Sequence, residues 1–223
     1  MDMIAEELIN HMIPPLKLSD DAHKAIMWME EMRCNYLPVV DNSRFLGLIN
    51  EEIILDNNDI EKLISEFDLI GKDAVVSEEI HFYEIIKKAS DLKVQSVAVV
   101  DHQQNYLGVI SLQDALSAFA QSAAVHTPGG IIVLSMSMRD YSLAEISRLI
   151  EENNVKIASS NMRADDLDPS MIKLTLKINS TEINRVVATL ERFGYKIIAR
   201  FQESNSGEAE RDRLDMLFRY LEI

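Results

Sequence analysis

Tyr36-Leu37-Pro38-Val39-Val40-Asp41 returns as Ser96-Val97-Ala98-Val99-Val100-Asp101, sixty residues further on. A second block, Phe45-Leu46-Gly47-Leu48-Ile49, returns as Tyr106-Leu107-Gly108-Val109-Ile110 at a shift of sixty-one. The extra residue places a loop insertion between the blocks. Each pair of blocks reads as two short β-strands joined by a polar turn, Asn42-Ser43-Arg44 or His102-Gln103-Gln104-Asn105. The glycine in each second strand predicts a bulge or a close backbone approach. Upstream of the first hairpin, Ala22, Ala25, Ile26 and Met29 fall at helical spacing, and Phe82, Ile85, Ile86 and Ala89 repeat that phase sixty residues later. Helical stretches also follow each hairpin, Glu51 to Leu55 and Leu112 to Ala120. The unit is strand–helix–strand–strand–helix, used twice.

Composition bounds what such a chain does. Its 223 residues are 47% apolar, enough for one large domain or two modest ones with proper cores. No run of apolar residues reaches the 18 or so that a membrane helix needs. The start, Met1-Asp2-Met3-Ile4-Ala5-Glu6-Glu7, lacks the basic and apolar regions of a signal peptide. Cys34 is the single cysteine, so an internal disulfide and a thiolate metal cluster are both excluded, and a reducing cytoplasm fits. Of the net charge of −15, residues 1–125 carry −13 and the remainder −2. So acidic a first half repels nucleic acid and anionic membrane, and no partner of either kind is expected. It also weighs against ligands with many phosphates, within the ~8 Å over which salt leaves charges felt.

The repeat resembles the CBS domain pair over about residues 3–120, carried by the two apolar-Val-Val-Asp strands, the two apolar-Gly-apolar-Ile strands and the helices before them. That resemblance implies a disc-like unit with two clefts, which in the family hold AMP, ATP, S-adenosylmethionine or similar adenosyl compounds. Ser111-Leu112-Gln113-Asp114 matches the family's Ser/Thr-x-x-Asp ligand signature. An aspartate there accepts ribose hydroxyls, Ser111 donates to a ribose or phosphate oxygen, and the helix N-terminus favours an anion. The same four residues also read as an ordinary helix N-cap. In the first repeat the equivalent positions are Asn50 and Ile53, and isoleucine accepts no hydrogen bond, so one competent and one degenerate cleft are expected. The ligand-lining residues implied are Asp114, Ser111, Val76, Val97, Ala98, Ser96 and Lys93. Many nucleotide-binding relatives carry a basic residue just before the apolar-Val-Val-Asp strand, where this chain has Tyr36 and Ser96. Lys93 and Arg33, three residues earlier, either reach in or are solvated at the surface. AMP or a cationic adenosyl compound therefore fits better than ATP.

His126-Thr127-Pro128-Gly129-Gly130 marks a linker, and beyond it the periodicity changes. Ile132, Leu134, Met136 and Met138 alternate as a strand. Ser142-x-x-Glu145 opens a helix with Leu143, Ile146, Leu149 and Ile150 inward. Val155 and Ile157 mark a second strand, and Ile172, Leu174, Leu176 and Ile178 a third. Ile183, Val187 and Leu190 lie on a second helix ending near Gly194, and Tyr195 to Phe201 is a fourth strand. The order βαββαβ describes a ferredoxin-like sandwich. It resembles an ACT domain, through Asp140-Tyr141-Ser142-Leu143 and Asn153-Asn154-Val155-Lys156-Ile157. ACT domains commonly bind amino acids near a glycine in the first strand–helix loop and pair across symmetric interfaces. Tyr141 and Ser142 stand in that loop here, which puts amino-acid binding in doubt and leaves a dimerising role. The whole is similar to small CBS–ACT proteins of the acetoin-utilisation-regulator type.

The expected fold class is thus α+β: tandem CBS modules (βαββα twice) and a ferredoxin-like ACT-type domain. The expected boundaries are 1–125 for the pair (repeats about 3–57 and 68–122), 126–130 for the linker, 131–203 for the ACT-like domain and 208–223 for a C-terminal helix with Leu214, Leu217, Phe218 and Leu221 on one face. Nothing points to catalysis. The five histidines show no metal spacing, Cys34 has no activating neighbour in sequence, and Asp165, Asp166 and Asp168 beside Pro169-Ser170 read as a solvated turn. The expectation is a non-catalytic regulator sensing an adenosyl ligand (AMP, S-adenosylmethionine or similar), as a homodimer. The alternative is a constitutive dimeric scaffold with vestigial clefts.

Overall fold

The structure, a computed structural model, describes residues 3–57 and 59–202. The segment expected as a C-terminal helix, 208–223, lies outside them. The chain divides into two units, Met1–Phe119 and Ala120–Ile223.

In the first unit, α1 (Ala22–Met32) starts at Asp21, whose carboxylate accepts from the Lys24 amide at 2.8 Å, and stops at Arg33 in the left-handed conformation. Then come β1 (Tyr36–Asp41), β2 (Arg44–Asn50) and the short α2 (Glu51–Asn57). The second copy has β3 (Val75–Ser77), α3 (Phe82–Leu92), β4 (Ser96–Val100), β5 (Tyr106–Ser111) and α4 (Leu112–Ser122). α3 repeats α1 residue for residue at the sixty-residue offset, down to a left-handed Lys93 at its end. Ala22, Ala25 and Met29, and Phe82, Ile85 and Ala89, are buried as their spacing demands.

The hairpins differ where the extra residue falls. Asn42 and Ser43 both have positive φ and close a two-residue turn that suits the twist of the strands. In the second copy Asp101 organises a five-residue loop, its carboxylate accepting from the amides of Gln103 (2.8 Å) and Asn105 (2.7 Å). Both hairpins shift register at the same place, between Val39 and Val40 and between Val99 and Val100, beside the two glycines.

One expectation fails in detail. The leading strand forms in the second copy, where β3 pairs parallel with β4. In the first copy it shrinks to a single bridge, Leu16 to Val39. Pro14 and Pro15 stand where the strand would run, and proline has no N–H to donate to a ladder.

The copies also exchange their leading segments. Asn10 donates its backbone N–H to Val109 O (2.9 Å), and Ala5 to Ile80 O (2.8 Å), so residues 4–10 lie on the second module, while Ile13 returns to the core of the first. Conversely, Leu48 and Ile70 exchange both backbone hydrogen bonds, at 2.7 and 3.0 Å, laying the segment before the second module on the first. The glycines make room for this: a Cβ on Gly108 would lie 2.3 Å from Ile9 Cγ2, and one on Gly47 2.9 Å from both Ile70 O and Leu69 Cβ. The cores interlock accordingly. Val109 belongs to the cluster of the first module, and Leu48 to that of the second.

In the second unit, β6 (Ile131–Ser137), α5 (Leu143–Glu151), β7 (Ile157–Ala164), β8 (Met171–Ile178), α6 (Asn184–Arg192) and β9 (Lys196–Phe201) follow one another. The sheet order is β7-β8-β6-β9, antiparallel throughout, the βαββαβ sandwich expected. Ile132 and Leu134, Ile172, Leu174, Leu176 and Ile178 from the sheet meet Ile146, Leu149 and Ile150 of α5 and Val186 and Leu190 of α6 in its core. Ser142 Oγ caps α5 by accepting from the Glu145 amide at 3.3 Å. Burial, and then the hydrogen bond and charge of Glu145, push the Tyr195 phenol up to about 12.

Candidate functional site

A cavity of about 260 Å³ opens between the two modules of the first unit. Its walls come from four places: Asn10 and Ile13 of the leading segment, Met32 to Asn35 at the end of α1, Gln95 and Ser96 at the start of β4, and Ser111 to Asp114 where β5 becomes α4. The strand runs straight into the helix, so Ser111 is at once the last strand residue and the helix N-cap.

That junction is closely hydrogen-bonded. The Asp114 amide donates to Ser111 Oγ at 3.1 Å, and Asp114 Oδ2 accepts from the Ser111 amide at 3.0 Å and from the Ser111 hydroxyl. This is a reciprocal capping box. Asn10 Nδ2 also donates to the carboxylate, 3.2 Å to Oδ2 and 3.5 Å to Oδ1. Across the cavity Asn35 and Gln95, equivalent residues of the two copies, meet side chain to side chain at 3.3 Å. Gln95 O also accepts from the Leu112 amide at 2.8 Å, tying β4 to the first turn of α4. The N-terminus of α4 lends the cavity partial positive charge, and Arg33 is the one full cation among its lining residues. Burial pushes the Cys34 thiol up, which lowers its thiolate fraction and its reactivity.

The residues singled out in the sequence separate into two sets. Asp114, Ser111 and Ser96 line this cavity together, Ser96 almost wholly buried. Val76, Val97 and Ala98 lie in the apolar core of β3 and β4, at most 4% exposed and outside the lining. Lys93 is exposed at the left-handed end of α3 and is not among the lining residues either; its counterpart Arg33 is. Asn10, Ile13, Asn35 and Gln95 were not singled out. The first two precede the repeat blocks, and Asn10 reaches the cavity through the exchange of leading segments.

The equivalent positions on the other side are apolar or filled. Tyr36, at the position of Ser96, packs against the core of the second module. Asn50 Oδ1 accepts from the Ile53 amide at 3.0 Å, capping α2, and Ile53 stands where Asp114 does. Among the described residues no group of three or more His, Cys, Asp or Glu is placed to hold a metal, and no helix is long and apolar enough to cross a membrane.

Residues 64–121 match the family model described as CBS domain. The chain is 23% identical over 193 residues to inosine-5'-monophosphate dehydrogenase of Methanocaldococcus jannaschii, covering 83% of this chain and 38% of that protein. It is 20% identical over 174 residues to an uncharacterized protein of the same organism, covering 78% and 65%. The chain thus spans less than two thirds of either relative's length. Among solved structures it is similar to a CBS domain pair/ACT domain protein from Thermotoga maritima, with 22% identity and a TM-score of 0.49, over 53% of this chain and 98% of that one.

Proposed function

We propose that the cavity between the modules binds an adenosyl ligand, AMP or S-adenosylmethionine or a similar compound, and that the protein is a non-catalytic regulatory sensor. One observation carries this reading. Of two positions related by the internal repeat, each at a capped helix N-terminus, one sets Asn10, Ser96 and Asp114 around a cavity of about 260 Å³, and the other has Ile70, Tyr36 and Ile53 in their places. A purely architectural junction has no need of that asymmetry. The volume lies just below the ~300 Å³ at which ligand pockets usually begin, which suits one nucleoside-sized group. A single arginine in an acidic half favours one phosphate, or a cationic adenosyl group, over three phosphates.

The wider reading extends the resemblance. The strands and helix at 36–57, a first copy beside the matched 64–121, make the first unit a tandem CBS pair, and the βαββαβ unit is ACT-like, with pairing rather than amino-acid capture as its role. The exposed β7 edge is the kind of surface a homodimer covers. A cytoplasmic location suits the single thiol. A second reading, a constitutive dimeric scaffold, is favoured by the fact that Ser111 and Asp114 already satisfy one another as a capping box.

A thermal-shift series with AMP, S-adenosylmethionine, ATP and free amino acids separates the readings. A ligand at a hundred times its Kd stabilises by about 2.7 kcal/mol. A saturable shift with an adenosyl compound supports the sensor; no shift with any of them leaves the scaffold.

A further inference from the structure

Asn10 is held at three points. Its backbone N–H donates to Val109 O at 2.9 Å, its Oδ1 accepts from the Met12 amide at 3.0 Å, and its Nδ2 donates to the Asp114 carboxylate. The last two contacts demand the same amide orientation, acceptor toward Met12 and donor toward Asp114. An amide nitrogen carries two hydrogens, and among the described residues nothing but Asp114 accepts from this one. Asp114 is as lopsided. Its Oδ2 takes both Ser111 donors and the shorter Asn10 contact, while Oδ1 has only the contact at 3.5 Å. An open N–H donor and an open oxygen acceptor thus stand side by side on the wall of one cavity.

The internal repeat shows that the fold does not require this pair. The counterpart of Asn10 is Ile70, which makes the same backbone hydrogen bond, to Leu48 O at 3.0 Å, without a polar side chain. The counterpart of Asp114 is Ile53. Where one member becomes isoleucine, so does the other.

We infer that Asn10 is a specificity-determining residue of the cavity and that the Asn10–Asp114 pair selects for a ligand hydroxyl. A hydroxyl matches both groups with a single oxygen, giving its proton to Asp114 Oδ1 and accepting from the second Asn10 N–H. An ammonium has nothing to accept with, and a phosphate oxygen meets the carboxylate. The inference rests on the adenosyl reading, in which that group is a ribose hydroxyl.

Calorimetric titration of the parent and of Asn10→Ile with AMP, 2′-deoxy-AMP and 3′-deoxy-AMP tests it. In the parent, AMP binds about tenfold or more tighter than one of the deoxy compounds, the scale of losing a hydrogen bond to a charged group. In Asn10→Ile that discrimination falls about threefold or more through weaker AMP binding, the remainder coming from Asp114, while the deoxy compounds bind as before. Asn10→Ala, with a smaller side chain, repeats the measurement should the isoleucine not fold. If the parent binds all three equally, or either variant keeps the full discrimination, the inference is wrong and the adenosyl reading stands. If the parent binds none of the three, the inference fails, and the adenosyl reading fails with it when S-adenosylmethionine does not bind either.

Discussion

Asp114→Ala removes one carboxylate from two sets of interactions, and the structure lets their magnitudes be separated. The first is local: the side chain accepts from the Ser111 amide and hydroxyl at the start of α4, and losing such a cap costs about 0.5–2 kcal/mol of stability. The second is affinity for the adenosyl ligand. A hydrogen bond to a charged group contributes about 1.5–3 kcal/mol. At 1.4 kcal/mol per tenfold, losing one such bond from the open Oδ1 weakens Kd by about 10- to 100-fold. Asp21→Ala is the matched control. It removes the cap of α1, whose carboxylate accepts from Lys24 at 2.8 Å. It does so at the far end of a helix of 11 residues, about 16 Å from the end that lines the cavity. Calorimetry and urea unfolding on the parent and both variants should show similar losses of stability, with a loss of affinity in Asp114→Ala alone. If Asp114→Ala binds as tightly as the parent while its stability drops like that of Asp21→Ala, the carboxylate is a capping group and nothing more. The scaffold would then account better for the whole chain.

Alanine at Gly47 should cost more than alanine at Gly108, each about 1–3 kcal/mol by urea unfolding. The new Cβ at Gly47 meets a backbone oxygen at a φ of +151°, whereas at Gly108 it meets the branch of one side chain; equal or reversed costs would contradict the packing described. In the second unit the Lys173 ammonium, 2.7 Å away, holds the Asp165 carboxyl below its ordinary value, helped by the Leu167 amide. Its folded pKa lies below the unfolded one of ~3.9, so its stabilisation is present above pH ~4 and is lost as pH falls through the folded value. Asp165→Asn should therefore lose less stability between pH 5 and pH 3 than the parent, and a parallel loss would show that the pair contributes nothing there. Sedimentation at micromolar concentration should find a homodimer; monomer alone would remove the pairing role and weaken the scaffold most.

How far the sequence could be read depended on whether information lay within an element or between elements. Ala22 and Phe82 opened helices because the periodicity and caps that make a helix are local, and the sixty-residue offset doubled the signal. Gly47 and Gly108 announced a close approach without saying what approached. Ile9, Leu69 and Ile70 could not be assigned that part, because they reach across to the other module. The leading strand expected in the first copy reduces to the bridge at Leu16, and the two prolines before it are the signal against a strand there. Val76, Val97 and Ala98 show a different limit: a strand buried on both faces is apolar throughout, so the sequence cannot tell a residue lining a cleft from one lining the core. Asn10 was invisible for the same reason as Ile9. The one hint available was that the positions sixty residues apart, Asn10 and Ile70, differ as sharply as Asp114 and Ile53 do.

The exchange of leading segments bears on how this unit is made and inherited. As the chain is synthesised, α1, β1 and β2 emerge before Ile70 exists to pair with Leu48, and Asn10 waits a hundred residues for Val109. Neither module completes its own flank until the other has been translated, so the contacts that finish the fold are the long-range ones, which form slowly. A chain cut near residue 60 yields two pieces, each carrying the strip its partner needs and lacking its own. The piece that can be grafted or duplicated intact is the pair. The repeat is about sixty residues long, but the unit that holds all its own contacts is twice that.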